Sequence, residues 1–459
     1  MKCRTSVRKT LLLTRGINFM QQMDLLHDDP KKLFFKYLLP SISATLVTSI
    51  YVLADTIMIG KGVGQDGLAV LNFILPLFTL FFGTGLLLGV GGAVLMSVAN
   101  GSGDKKLANT YFTHAALSGA VLAILFTVIG LVFLEPIGYM LGCTPVNIGL
   151  FTSYAQYLVG FCPVFLFSSL LQAFVRNDGA PKRAMVAVIS GGVTNIILDY
   201  IFIFILGMGM AGGAIATVIG SVTSVTLLLT HFMSKQNTMK LLKGKIQVNI
   251  IGRILHSGLP SFLIEVASGI VILLFNLQLL KYVGEVGVVV YSIIANSAIV
   301  AMSLFNGASQ GAQPIMATNY GANQSERVVS VRRLGSITVV IIGIVLFLSG
   351  FLFPDIVVQI FIEPTTEVLD MARGAIRIYF AAFIMMSLNI FYSTYFQSVL
   401  KPKLSLIICL LRGIIICTIL VFLLPLLIGV TGIWLVMPIT ELITAIIAMM
   451  MVRSAKNSI

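Results

Sequence analysis

The sequence predicts an all-α integral membrane protein: twelve transmembrane helices in two six-helix bundles related by a pseudo-two-fold along the membrane normal. Three observations carry that prediction. Of the 459 residues, 58% are hydrophobic and only 10% charged, against about 25% charged in soluble domains, and the mean hydropathy is +1.01. The remaining polarity falls in short breaks between apolar runs long enough to cross ~30 Å of hydrocarbon, which takes ~20 residues. The second half of the chain also repeats features of the first at a nearly constant offset, the one that separates Pro40 from Pro260. A soluble domain of this composition would have nowhere to put its apolar surface, and disorder is excluded for the same reason.

Taken in order, span 1 covers 33–60 and span 2 covers 70–98, ending at Gly101-Ser102-Gly103-Asp104-Lys105-Lys106. Span 3 covers 107–134. Span 4, 149–175, stops at Arg176-Asn177-Asp178-Gly179-Ala180-Pro181-Lys182-Arg183, a run of turn formers and charges. Spans 5 and 6 cover 184–206 and 212–233, and the short apolar break between them requires a tight turn. A polar, Lys-rich linker follows, and spans 7–12 cover 253–281, 289–318, 328–353, 372–399, 405–427 and 431–452. The domain organisation we expect is a tail at 1–30, a first bundle at 31–233, a linker at 234–252, a second bundle at 253–453 and a tail at 454–459.

The basic residues test this parse. One set of loops and both tails hold 25 of the 30 Lys and Arg, the opposite loops hold Lys61, Lys281, Arg373 and Arg377, and Arg412 lies inside span 11. Basic residues orient membrane proteins by staying in the cytoplasm, so both termini are expected there. The same rule accounts for the net charge of +13 without nucleic acid. The five cysteines have no metal-ligand spacing and read as ordinary thiols. The stretch 1–22 fits poorly. Leu11-Leu12-Leu13 is too short for a signal-peptide core, so the stretch reads as a tail or as an upstream start, with Met20 or Met23 the alternative. Lys31, Lys32 and Lys36 are placed to meet anionic lipid.

The repeat is carried by Gly and Pro at helix ends, where backbone shape dictates the residue. Pro40 maps to Pro260, Lys61-Gly62-Val63-Gly64 to Lys281-Tyr282-Val283-Gly284, Gly101 to Gly321 and Gly212 to Gly432. Pro181-Lys182 maps to Pro402-Lys403, one position further on. Six helices per unit means both units enter from the same side, and parallel repeats with a site at their interface are a transporter architecture.

Ionisable residues inside a membrane are costly and functional by default. Asp55 on span 1 and Asp199 on span 5 sit at comparable depth, and Asn195 shares a helix face with Asp199. Two carboxylates and an amide oxygen make a hard-cation or proton site. Like charges close together in low dielectric cannot both stay ionised cheaply, so one can hold a proton. The second-half counterparts are Phe275, Ile416 and Leu420, which argues against a scaffold role. Glu265 on span 7 and Glu441 on span 12 both fall near the midplane, where transporter substrate sites lie, and are expected to face the central cleft and favour cationic, lipophilic compounds. Arg412 is placed either to pair with an acid or to snorkel inward, and His114 is expected to be structural.

The chain resembles the multidrug and toxic compound extrusion (MATE) family, particularly its bacterial MepA-like and DinF-like branches. The resemblance rests on residues 51–60 (YVLADTIMIG), 176–204 (RNDGAPKRAMVAVISGGVTNIILDYIFIF), Gly207–Thr217, Gln313-Pro314 and Asn319-Tyr320-Gly321-Ala322. It implies a V-shaped pair of bundles exporting drugs in exchange for H⁺ or Na⁺, monomeric and without a cofactor. It also implies that Asp55, Asn195 and Asp199 fall in the family's N-lobe cation site, with Tyr154 and Thr217 at further polar positions around it. Pro40 matches a proline at which the family's first helix bends. Another branch couples through a helix 7 Glu and acids on helix 10. Glu265 matches the first, but 384–397 offers Asn389 and no acid. The rival reading is a lipid-linked saccharide flippase of the same broad superfamily, which would call for a basic cavity. An intramembrane prenyltransferase would need clustered Asp at the membrane face, and the sequence has only Asp28-Asp29, in the tail.

Overall fold

The computed structural model describes residues 24–455; the reading of the stretch 1–22, and most of the 454–459 tail, lies outside them. Among the described residues there are helices and connecting turns and no strand. Ten helices are long and apolar enough to span alone, and two bent pairs bring the number to twelve. They are span 1 (Pro30–Gly62), span 2 (Gln65–Gly101), span 3 (Lys105–Val132), span 4 (Ile148–Gly160 with Cys162–Asn177), span 5 (Pro181–Ile205) and span 6 (Gly209–Met233). Span 7 (Val248–Tyr282), span 8 (Glu285–Gly321), span 9 (Ser325–Leu352), span 10 (Thr366–Tyr379 with Ala382–Ser398), span 11 (Pro402–Ile428) and span 12 (Val430–Ser454) follow.

Local chemistry sets the ends. Asp29 Oδ1 accepts the Lys31 amide at 2.8 Å with Pro30 in the first turn, and Asp104 Oδ1 accepts the Leu107 amide at 2.8 Å. Pro181 and Pro402 open spans 5 and 11, where the missing N–H costs nothing. Spans 4 and 10 are not the continuous helices that apolar length suggests. They bend by 51° and 43° at Phe161 and near Ala381. Pro163, at the start of the second piece of span 4, cannot donate to the preceding turn; span 10 bends at the equivalent place without a proline.

Backbone geometry reproduces the repeat more faithfully than residue identity does. Left-handed turns occur at Gly64 (φ 93°) and Gly284 (85°), Gly103 (83°) and Asn323 (56°), Gly179 (85°) and Leu400 (52°), and Gly209 (56°) and Gly429 (63°). Each pair keeps the offset of the sequence repeat to within one position. Two of the second-half positions have lost their glycine and kept the turn.

The largest contacts between halves pair span 1 with span 8 and span 2 with span 7. They are reciprocal about the pseudo-two-fold. A Cβ placed on Gly101 would lie 2.0 Å from the Thr318 carbonyl, and one on Gly321 would lie 2.0 Å from the Val98 carbonyl. Only glycine permits that backbone approach. Cross-half hydrogen bonds between spans run from the basic-loop end, where Arg176 Nη1 donates to Gln310 Oε1 at 2.7 Å, to mid-span, where Thr45 Oγ1 donates to the Ser303 carbonyl at 2.7 Å and Ser49 meets Ser303. Beyond Ser49, span 1 makes no cross-half hydrogen bond with a described residue.

Candidate functional site

Asp199 is the last residue of the α-helical part of span 5, where the helix passes into the π-helical turn Tyr200–Ile205. A π turn inserts a residue and re-aims the side chains around it, and such turns gather at functional sites. The result is that Asp199 is fully buried, with Asn195 and Tyr154 nearly so and Asp55 half-buried. The carboxyls of Asp55 and Asp199 adjoin, and the Tyr154 hydroxyl neighbours both and also Thr217. Asn195 Nδ2 donates to Thr217 Oγ1 at 3.3 Å, and Thr217 Oγ1 donates to the Gly213 carbonyl at 3.0 Å. All five residues expected at the cation site of this half therefore come together. Asp55 Oδ1, both Asp199 carboxyl oxygens and Asn195 Oδ1 are buried and accept no hydrogen bond from a described residue. Buried polar oxygens are normally satisfied. Four orphans in one place form an acceptor-only shell, which suits a proton or a hard monovalent cation. Among the described residues no group of three His, Cys, Asp or Glu converges on a point, so Na⁺ would depend on the two carboxylates and the Asn195 amide oxygen.

Next to this shell lies a cavity of about 440 Å³ lined by Tyr51, Gln172, Asn195, Thr217 and Ser221 among others. The second half has a cavity of about 900 Å³ at the repeat-equivalent place. Its chemistry differs. Arg412 stands where the first half has Gly191, and Glu441 where it has Ser221. Arg412 Nη2 donates to Glu441 Oε1 at 2.6 Å and its Nε reaches the same oxygen at 3.1 Å, while Asn389 Nδ2 donates to Glu441 Oε2 at 2.6 Å. Arg412 sits on the second π turn, Leu411–Ile415. The one charged residue in the membrane part of span 5 and the one in the membrane part of span 11 thus both sit at π turns, a feature that apolar periodicity does not reveal.

Glu265 lines the same cavity as Glu441 but forms no ion pair with a described residue; only its backbone carbonyl accepts, from Ser268 Oγ at 2.7 Å. Tyr291, Tyr379, Met302, Met386 and Met437 supply the walls. The sequence grouped Glu265 and Glu441 as two midplane acids facing the central cleft. The structure puts them on one cavity but commits Glu441 to Arg412 and Asn389. Pro40 lies inside the unbroken helix of span 1, beside the approach of Leu38 to Gly311 of span 8. His114 accepts the Gln247 amide at Nε2 (3.0 Å) and donates from Nδ1 to the Thr110 carbonyl (2.8 Å), a structural role.

A family model described as MatE matches residues 40–201 and 260–423, one match in each half. The chain belongs to the MatE family. As a MatE protein it is a multi-pass membrane transporter and not an enzyme. It is 25% identical over 418 residues to the multidrug export protein MepA of Staphylococcus saprophyticus, covering 90% of this chain and 91% of that protein. To MepA of Staphylococcus aureus strain N315 it is 25% identical over 425 residues, covering 92% and 93%. A solved structure of a multidrug resistance MATE family transporter of the MOP superfamily, in the outward-facing conformation, superposes with a TM-score of 0.89. The identity is 23%, and the superposition covers 95% of this chain and 99% of that one, so it speaks to the MatE fold alone.

Proposed function

We propose that this MatE protein is a multidrug efflux antiporter that exports lipophilic, mainly cationic compounds in exchange for H⁺ or Na⁺. The observation that carries the reading is the adjoining Asp55–Asp199 pair with its buried, unsatisfied oxygens, present in only one of the two halves. Residues 31–233 and 253–453 act as two lobes that rock about the glycine-lined contact at the basic-loop end. We read the closed basic-loop end as the inner side of an outward-facing state, in a bacterial plasma membrane with both termini cytoplasmic, and the working unit as one chain.

In this cycle a cation enters from outside and neutralises the acid pair, which changes how span 1 packs and lowers drug affinity. Asn195, Tyr154 and Thr217 hold the carboxyls in place. The emptied carrier turns inward, releases the ion and reloads. One charge moving inward across ~150 mV supplies about 3.5 kcal/mol, enough for a gradient of roughly 300-fold in a neutral drug; exchange for a singly charged cationic drug moves no net charge, and there the coupling ion's own concentration gradient supplies the work. The flippase reading loses ground because Arg412, a basic residue within the membrane, is neutralised by Glu441. Purified protein in liposomes, with H⁺ and Na⁺ gradients imposed one at a time, tests the proposal: one of them should drive dye accumulation, and accumulation indifferent to both would refute antiport.

Two finer expectations follow. Glu265 is the unpaired carboxylate in the second-half cavity, with Glu441 holding Arg412 beside it. Glu265→Gln replaces a charge-assisted contact by a neutral one and should weaken export of cationic dyes on the order of tenfold. Neutral substrates and the ion dependence should be unchanged; equal loss for every substrate would move the coupling site to this half. Pro40 removes a backbone bond in span 1 and permits bending. Pro40→Ala should slow turnover several-fold and leave equilibrium dye affinity unchanged, and wild-type turnover would count against a hinge.

A further inference from the structure

A groove on the outer flank of the second half, at the basic-loop end, has no role in this cycle. It holds about 980 Å³ of open space between spans 9, 10 and 12. Arg332 and Arg333, near the start of span 9, and Arg453, at the end of span 12, rim it, with Tyr392 and Ser336 beside them. About a turn deeper along span 9 the lining becomes apolar, at Ile337, and span 12 adds Met449 and Val452. None of the three arginines forms an ion pair with a described residue. Arg332 lies over the Tyr395 ring at 5.4 Å, which fixes its guanidinium.

The pseudo-symmetry shows what such a groove is for when the chain fills it. In the first half the repeat-equivalent positions are Phe112, Thr113 and Met233, all uncharged. The linker is laid across that face. The Leu242 amide donates to Thr113 Oγ1 at 2.9 Å, the Lys240 amide to Asn109 Oδ1 at 2.6 Å, and Phe112 stacks near Phe232 at 5.7 Å. No described segment crosses the second-half groove. Residues 1–23 carry five Lys and Arg and no acid, so their charge does not complement three arginines.

We propose that this groove binds an anionic phospholipid with two headgroup phosphates, of the diphosphatidylglycerol class. Three guanidinium forks can take up the phosphate oxygens, and basic pockets between membrane helices at this level recognise such headgroups. The apolar lining below takes the acyl chains. The lipid fills on one lobe the place that the linker fills on the other.

Native mass spectrometry of the purified protein, titrated with diphosphatidylglycerol or phosphatidylcholine, tests this. Arg332→Gln, Arg333→Gln and Arg453→Gln should each weaken diphosphatidylglycerol binding roughly fivefold, and the three together on the order of 100-fold. Phosphatidylcholine binding should be unchanged. The linker variant Lys240→Gln/Lys243→Gln/Lys245→Gln should bind both lipids as wild type does. Wild-type diphosphatidylglycerol binding by the triple arginine variant would overturn the site. So would equal loss for both lipids, which means general damage, or displacement of the lipid by millimolar inorganic phosphate, which means a free-phosphate site.

Discussion

Asp199→Asn should end gradient-driven export, and Asp55→Asn should do the same, while both proteins still reach the membrane. Each change removes one of two adjoining carboxyls, and neither residue has an equivalent in the other half to take over, since the counterparts are Leu420 and Phe275. The pair is where an incoming cation would be neutralised. Without it the dye gradient sustained by the coupled ion collapses to passive equilibration. Asn keeps the volume and can donate to the orphaned oxygens, so folding is not at risk in the way it would be with an apolar replacement. The check is dye accumulation in liposomes under an imposed gradient, with dye binding measured separately in detergent. Binding should persist as transport vanishes. Full accumulation by both variants would remove the site from this half.

Arg412→Met destabilises the protein by about 3–5 kcal/mol, the cost of leaving a buried carboxylate without its counter-charge. Glu441 is fully buried and its side chain is bonded to Arg412 and Asn389; removing the guanidinium leaves it one amide donor. The double variant Arg412→Met/Glu441→Met should recover most of the loss, because replacing a whole buried ion pair by apolar side chains of similar volume is close to neutral. Thermal unfolding in a single detergent gives both numbers. A single variant as stable as wild type would show that the pair is not what holds spans 11 and 12 together.

The fold was legible because its strongest signals are long-range and physical. Apolar run lengths give the number of spans, the one-sided distribution of Lys and Arg supports the same parse, and Gly and Pro at helix ends betray the duplication. The site was half legible. Asp55, Asn195 and Asp199 stand out because charge inside an apolar run is rare, and helical spacing alone puts Asn195 and Asp199 on one face. Two things were not legible. The π turns at Tyr200–Ile205 and Leu411–Ile415 leave no mark on an apolar pattern, yet they aim Asp199 and Arg412. The pairing of Arg412 with Glu441 joins two helices far apart in the chain, so no local spacing rule reaches it. The bends in spans 4 and 10 were hidden likewise, since an apolar run does not say whether its helix is continuous. The repeat could have exposed the second cavity: Arg412 and Glu441 fall on the counterparts of Gly191 and Ser221, both within the first-half cavity lining.

The central claim is that the cation and the drug compete through Asp55 and Asp199. It is tested most directly by adding a cationic dye to drug-free protein in weakly buffered detergent solution and reading the ion released, as protons by a pH change and as Na⁺ by loss of bound radiolabel. The account predicts that wild-type protein releases one of these ions as dye binds, and that Asp55→Asn/Asp199→Asn binds dye and releases neither. Dye binding to wild type with no release of either ion, or undiminished release from the double variant, would contradict it.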